Sequence, residues 1–209
     1  QDCRAWIVHH LEAAVREAGG MLSAVGRIDD AEIPTRLPCV FNGRSGRARC
    51  NVLEALGIAL HASQDVYAHT NWTGVAAAGP LTRTTPPGLG QTRRAGFIDP
   101  RRRADFPAGL ISGCYEGVPE SMHCHGRVRH ADLNKDTGRI DVRLGTIGRG
   151  TTPRGAVDAN FARAVTAAIG DTRDTWAWLA GRVRATYGER RGALILCALR
   201  DDDPARGCR

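Results

Sequence analysis

The stretch LHASQDVYAHTNW, residues 60–72, places His61, Asp65 and His69 at equal four-residue steps. On an α-helix, positions four apart advance about 40° and rise about 6 Å, so the three side chains form one slanted stripe. Neighbours four apart can grip one ion, as in an H-E-x-x-H helix. The two histidines, eight apart, stand about 12 Å from each other along the axis, too far for a single ion. A carboxylate between them can offer one oxygen to each side. The stripe therefore points to two ions flanking Asp65, or to one ion at His61 and Asp65 with His69 in another role. Imidazole and carboxylate without thiolate suit zinc, and other divalent ions fit the same donors. Leu60, Ala62, Val66 and Ala68 crowd the stripe, and polar groups walled in by apolar neighbours need partners.

Outward from the stripe, residues 50–72 read as one helix. Asn51 is the expected N-cap, with Glu54 three residues on, and Val52, Leu56, Ala59, Leu60, Ser63 and Val66 form a small-residue packing face. Residues 4–24 carry Trp6, Leu11, Val15 and Leu22 at helical spacing, with Gly19 and Gly20 a soft point inside. A third helix is expected from Ala156 to Gly188 on Phe161, Val165, Ala168, Thr172, Trp176, Leu179, Val183 and Tyr187, and a short last one over RGALILCAL, residues 191–199. Between Thr73 and Gly155, Pro and Gly are dense and no sustained periodicity appears, so this long irregular segment must be pinned. The fold class expected is mainly α, as a single domain over 1–209.

Composition narrows the setting. The chain has 209 residues, 42% hydrophobic and 24% charged, as in a globular protein. No apolar run approaches the roughly 18 residues of a spanning helix. The net charge of +7 is almost wholly arginine, since Lys135 is the only lysine. That bias, with heavy Ala and Gly, fits a GC-rich bacterial genome, yet the charge still attracts phosphates. Seven cysteines fall into local pairs, Cys39 with Cys50, Cys114 with Cys124 and Cys197 with Cys208, none at the C-x₂-C spacing of a zinc ribbon. Three disulfides, and hence secretion into an oxidising compartment, are expected. Cys3 is left over. The chain opens on QDCRAWIV with no starter Met and no leader, so a trimmed chain is expected, with the partner of Cys3 in a removed upstream segment.

The segment LGIALHASQDVYAHTNW (56–72) resembles the metal-binding helix of the Het-C and CinY proteins, a group related to the zinc-dependent phospholipase C and P1 nuclease fold. The likeness extends over GRARCNVLEALGIALH (46–61), LNKDTG (133–138), TTPRGAVDANFARAV (151–165) and the tail GALILCALRDDDPARGCR (192–209). It implies a helical core of the zinc-phospholipase-C-like type with a long disulfide-pinned irregular segment, holding one to three zinc ions. In that fold a His-x₃-Asp helix binds a trinuclear cluster whose Asp bridges two ions; His61 and Asp65 match the pair. The phospholipase has its next histidine six residues after the Asp, where this chain has His69 four after, as the Het-C and CinY pattern does. CinY-like chains carry a His-Glu pair upstream of the position where this sequence opens, and if that segment is absent, part of the metal site is absent with it; a later His-x₃-Glu helix has no match in 156–187.

The family pattern marks His125 as the next metal ligand. His123, Asp132, Asp158 and Asn160 are weaker candidates; Asp158 and Asn160 also read as a helix N-cap, and His123 and His130 as solvent-facing loop residues. Lys135 is the candidate for a substrate phosphate, and Asp136 reads as a turn cap. His9 and His10, near Trp6 on the first helix, read as core or surface histidines. Tyr67, Asn71 and Trp72 are expected to pack the end of the stripe helix, leaving the Asn71-Trp72-Thr73 sequon unused. Arg93, Arg94 and Arg101 to Arg103 read as a solvated face or a phosphate-recruiting rim; without interleaved aromatics, nucleic acid is an unlikely partner. No G-x-S-x-G elbow or reactive thiol is present.

Two functions follow. One is a secreted metal-dependent hydrolase acting on a small phosphoester or lipid headgroup, with peripheral membrane contact and Asp65 as the catalytic carboxylate. The other is a non-catalytic, disulfide-braced metal-binding accessory protein on the same scaffold.

Overall fold

The computed structural model describes residues 2–36, 39–77, 79–115 and 124–208 and is mainly helical. The helices are α1 (Asp2–Ala18), α2 (Ala48–His69), α3 (His130–Leu133), α4 (Asn160–Tyr187), α5 (Glu189–Arg200) and α6 (Pro204–Gly207). One antiparallel pair, β1 (Gly138–Asp141) and β2 (Thr146–Gly150), completes the regular structure. The chain divides into two compact units, Gln1–Ala62 with Asp174–Arg209, and Ser63–Arg173. Helices α2 and α4 each run from one unit into the other.

In the first unit, Ile7, Leu11, Ala14, Val15 and Ala18 give α1 a buried stripe at steps of three and four, as its periodicity requires. The other buried residues of this unit include Val52, Leu179, Val183, Ile195 and Leu196. The first helix stops at Ala18, earlier than expected, and a single 3₁₀ turn follows over Gly19–Met21. The two glycines are points of close approach. A Cβ on Gly19 would lie 2.8 Å from the ring of Tyr187, and one on Gly20 would lie 2.9 Å from the Cβ of Ala48. The Tyr187 hydroxyl contacts Val15 O (2.8 Å) and Arg16 O (3.0 Å), serving carbonyls that the end of α1 leaves without helical partners.

The start of α2 also differs from expectation. Asn51 lies inside the helix, where its side chain accepts from Gly46 N at 2.8 Å and donates to Glu17. Glu32 caps the helix from a distant loop. Its carboxylate accepts from Ala48 N at 2.7 Å and its carbonyl from Arg49 N at 3.1 Å. A cap supplied sixteen residues upstream has no local spacing by which to be read.

The disulfides Cys39–Cys50, Cys114–Cys124 and Cys197–Cys208 form with Cα separations of 5.6–5.7 Å, and Cys3 is an exposed free thiol. Among the described residues, no helix is long and apolar enough to cross a membrane.

In the second unit the irregular segment is pinned chiefly by one asparagine just beyond α2. Asn71 is 1% exposed, so its sequon is sealed in the fold. Its amide donates to Pro87 O (2.9 Å) and Gly109 O (3.0 Å), and its side-chain oxygen accepts from Ile111 N (2.8 Å). Its backbone adds bonds to Ile111 O and from Leu89 N. Tyr67 and Trp72 pack the same end, through Tyr67 OH accepting from Ala95 N and Trp72 Nε1 donating to Arg93 O. The β1–β2 hairpin lies inside the stretch expected to be irregular; almost all of its residues are exposed on both faces, so it lacks the apolar alternation by which strands are recognised. The fourth helix begins at Asn160 instead of Ala156, because Asp158 and Ala159 hold left-handed backbone (φ +41° and +57°) that a right-handed helix cannot include.

Asn71→Ala leaves Pro87 O, Gly109 O and Ile111 N without their partner. At about 1–3 kcal/mol for each buried group stranded, it is expected to destabilise the chain by at least ~3 kcal/mol and to open residues 80–110 to protease. Urea unfolding and limited proteolysis check this; wild-type values in both exclude the role.

Candidate functional site

The stripe divides as it runs along α2. His61 is exposed, Asp65 is half-buried and His69 is 6% exposed. His61 lies on the part of α2 that belongs to the first unit, where it borders an open groove of about 560 Å³ lined also by Trp6, Phe41, Leu53 and Ile58. Asp65 and His69 belong to the second unit.

The convergence in that second unit is around His69. Its Nε2 lies 3.4 Å from Asp136 Oδ2 and 3.9 Å from Asp65 Oδ1. Its ring stacks on His130 at 3.5 Å between centroids, and Tyr115 meets His130 edge-on at 5.1 Å. Burial, and then the neighbouring His130, pull the His69 pKa below the ordinary histidine value, while Asp65 and Asp136 pull it up. Neutral imidazole facing two carboxylates is the resulting state at pH 7. Its Nδ1 is buried with no hydrogen-bond partner.

Asp136 is the residue that the sequence reading misplaced. Asn134 caps the turn instead, its side chain accepting from Asp136 N at 2.8 Å. That leaves the Asp136 carboxylate for Thr137 Oγ1 and His69. In the sequence, Asp136 stands in a second polar cluster with His123, His125, His130 and Asp132, whose histidines could reach back to the stripe.

Lys135 holds this arrangement together and does not face a substrate. It is fully buried, and its Nζ donates to Ala68 O (3.1 Å), Thr70 O (2.7 Å) and Leu133 O (2.8 Å), which takes all three ammonium protons. Its own N–H donates to Ala68 O as well. The expectation of a phosphate ligand gives way to a clamp on the C-terminal end of α2, where the helix dipole is negative. Burial pulls its pKa down to about 7, helped by the nearby Arg154 charge and opposed by Asp136.

Asp132, Asp158 and Asn160 serve the chain itself. Asp132 accepts from Arg129 N at 2.9 Å and so caps α3. Asp158 is exposed and pairs with Arg163. Asn160 is fully buried, its oxygen accepting from Val75 N and its amide donating to Ala76 O and Arg154 O. His125 is exposed on the turn after Cys124, and His123 lies outside the described residues. In the basic loop, Arg94 is tied to Asp99 and Asp171, and Arg101 and Arg102 to Asp99.

The donors around His69 can be tested against a divalent ion by distance. An N–H···O hydrogen bond is best at about 2.7–3.2 Å, shorter than either contact of Nε2. Tetrahedral zinc with nitrogen and oxygen ligands at about 2.0–2.2 Å sets neighbouring ligand atoms roughly 3.4 Å apart. The Nε2 to Asp136 spacing matches that edge, and Asp65 is slightly wide of it. Among the described residues, three or more ligand atoms lie within 4.8 Å of one another only at Cys197, Asp201 and Cys208, whose thiols are spent in a disulfide. The His69 set thus needs a side-chain turn of Asp65 or Asp136, each about half exposed (45% and 48%), to close on one ion. No family model, curated protein or solved structure matches the chain.

Because the folded chain releases the Lys135 proton near pH 7 and the unfolded chain near 10.5, the unfolded state holds more protons between those values. Stability therefore rises with pH across that window, by up to about 1.4 kcal/mol per pH unit from this residue. Urea unfolding from pH 7 to pH 9 is expected to show this slope in the wild type and lose it in Lys135→Met; equal slopes refute it.

Proposed function

We propose that the chain is an extracytoplasmic metal-dependent hydrolase whose ion-holding edge is His69 with Asp65 and Asp136, acting on a small phosphoester or lipid headgroup. The observation that carries the reading is the buried His69 Nε2 set at ligand spacing from Asp136, with Asp65 a little beyond. Three disulfides are compatible with an oxidising compartment. The sequence likeness to the zinc-phospholipase-C-like group suggests zinc and a phosphoester, and a net charge of +7 favours an anionic substrate. A divalent ion held there supplies a bound water of lowered pKa and polarises a phosphoryl oxygen. The protein's own part is orientation and proton acceptance. His130 stacks against His69 and holds the plane of its ring, Lys135 fixes the backbone that carries Asp136, and Asp65 is placed to take a proton from a bound water.

A second reading is a metal-binding accessory protein without turnover on the same scaffold, and one observation weighs against tight ligation at His69 in both readings. Metal-ligating histidines almost always donate their other N–H to an acceptor. Ligation through Nε2 would put the remaining proton on Nδ1, which is buried without a partner.

The test uses the full chain with its disulfides intact. After dialysis against zinc at neutral pH, elemental analysis is expected to find at least one ion per chain, with turnover of a phosphodiester panel that chelator abolishes. Asp136→Asn and Asp65→Asn are each expected to weaken zinc binding by at least the roughly 10–100-fold that loss of even an outer partner costs, with folding unchanged. Retained zinc without turnover selects the second reading. No retained ion, or zinc binding indifferent to both substitutions, rejects the site.

A further inference from the structure

The β1–β2 hairpin carries four aliphatic side chains in eight residues, and three of them face solvent: Ile140 at 47%, Leu144 at 65% and Val142 at 90% exposure. Ile147 pairs across the ladder with Ile140 and so shares its face. Single exposed apolar residues are ordinary, whereas a contiguous group on one ribbon calls for a reason. Folding gives little reason for it, because none of the four is among the buried core residues.

The ribbon is nevertheless built to hold its shape. At its base, Gly138 and Gly150 lie against buried Phe161, where an added Cβ would come within 2.5–2.6 Å of that side chain, and Thr151 N donates to Thr137 O at 2.9 Å. At its tip, Asp141 Oδ1 accepts from Arg143 N and Leu144 N at 3.0 Å each, and Gly145 takes the left-handed conformation that closes the turn. The one carboxylate of the hairpin is thus spent on its own backbone. Arg139, Arg143 and Arg149 are exposed on the same ribbon, three cations against that one anion.

We propose that this hairpin docks the protein on an anionic lipid surface. Val142, Leu144 and Ile140 enter the boundary between headgroups and acyl chains, and the arginines take lipid phosphates. Charge complementarity selects the occupant, through the local excess of arginine and the net charge of +7. A protein partner fits less well. Residues 138–150 contain no aromatic side chain and no Met, the types in which interface hot spots are rich. Four aliphatic side chains also fall far short of the roughly 20–30 residues a side of a standard interface. The inference is independent of the hydrolase reading, since docking is measured without turnover.

The experiment is co-sedimentation of the disulfide-intact chain with vesicles of phosphatidylcholine, alone or with about one-third phosphatidylglycerol as the anionic lipid. Binding is expected to the anionic vesicles and to weaken with salt. Val142→Ser with Leu144→Ser is expected to reduce partitioning by roughly a hundredfold or more, the burial energy of two such side chains. Arg139→Gln with Arg143→Gln should reduce it and flatten the salt dependence, while Val25→Ser, at an 80% exposed position in the other unit, leaves it unchanged. Val142→Trp should add a fluorescence signal that lipid-borne bromine quenches. Urea unfolding of each variant separates loss of docking from loss of fold. No binding to anionic vesicles, or binding indifferent to the Val142 and Leu144 changes in folded variants, overturns the proposal. Self-association abolished by those changes, without vesicle binding, overturns it in favour of a second copy of the chain.

Discussion

The ammonium of Lys135, buried on the carbonyls that close α2, is the contact on which the candidate site depends. A helix leaves its last four carbonyls without intrahelical partners and gathers negative potential there. Lys135 answers two of the residues at that end, Ala68 and Thr70, and ties them to Leu133. Residues 133–136 are thereby seated against the helix end, with Asp136 opposite His69. The choice of residue type has a physical reason. Three carbonyls converging on one point suit a compact ammonium with three donors, and a planar guanidinium cannot direct its protons that way. The chain's only lysine sits at the position where its abundant arginine would not serve.

Polar side chains in apolar surroundings organise the rest of this unit in the same manner. Asn71 gathers Pro87, Gly109 and Ile111; Asn160 gathers Val75, Ala76 and Arg154; Arg154 reaches Pro86 O at 2.9 Å. A segment rich in Pro and Gly has few apolar side chains to bury and many backbone groups to satisfy. Buried amides meet that need, since each presents donors and an acceptor in fixed directions. The cost of such a network is its intolerance of loss, because every member removed strands several buried partners.

The chemistry around His69 follows from this scaffold. A buried neutral imidazole is held by a stacked neighbour, with two half-exposed carboxylates at its edge. The ring is buried and the carboxylates are near solvent. The unpartnered Nδ1 and the wide Asp65 contact are both in tension with ion binding.

The sequence by itself determined the helices with an apolar period and the three disulfide pairs. Phe161, Leu179 and Val183 at helical steps, or cysteines ten and eleven apart, are local facts, and local facts survive without coordinates. The split of the His61–Asp65–His69 stripe into an exposed end and a buried end was not legible, because burial depends on segments distant in the chain that cover it. Nor was the pairing of Asp136 with His69 across 67 positions, the cap that Glu32 provides for α2, or the turn of Lys135 inward. Polar side chains carry no periodic signature. Which backbone groups they satisfy is decided only when tertiary packing removes water and leaves those groups in need of a partner.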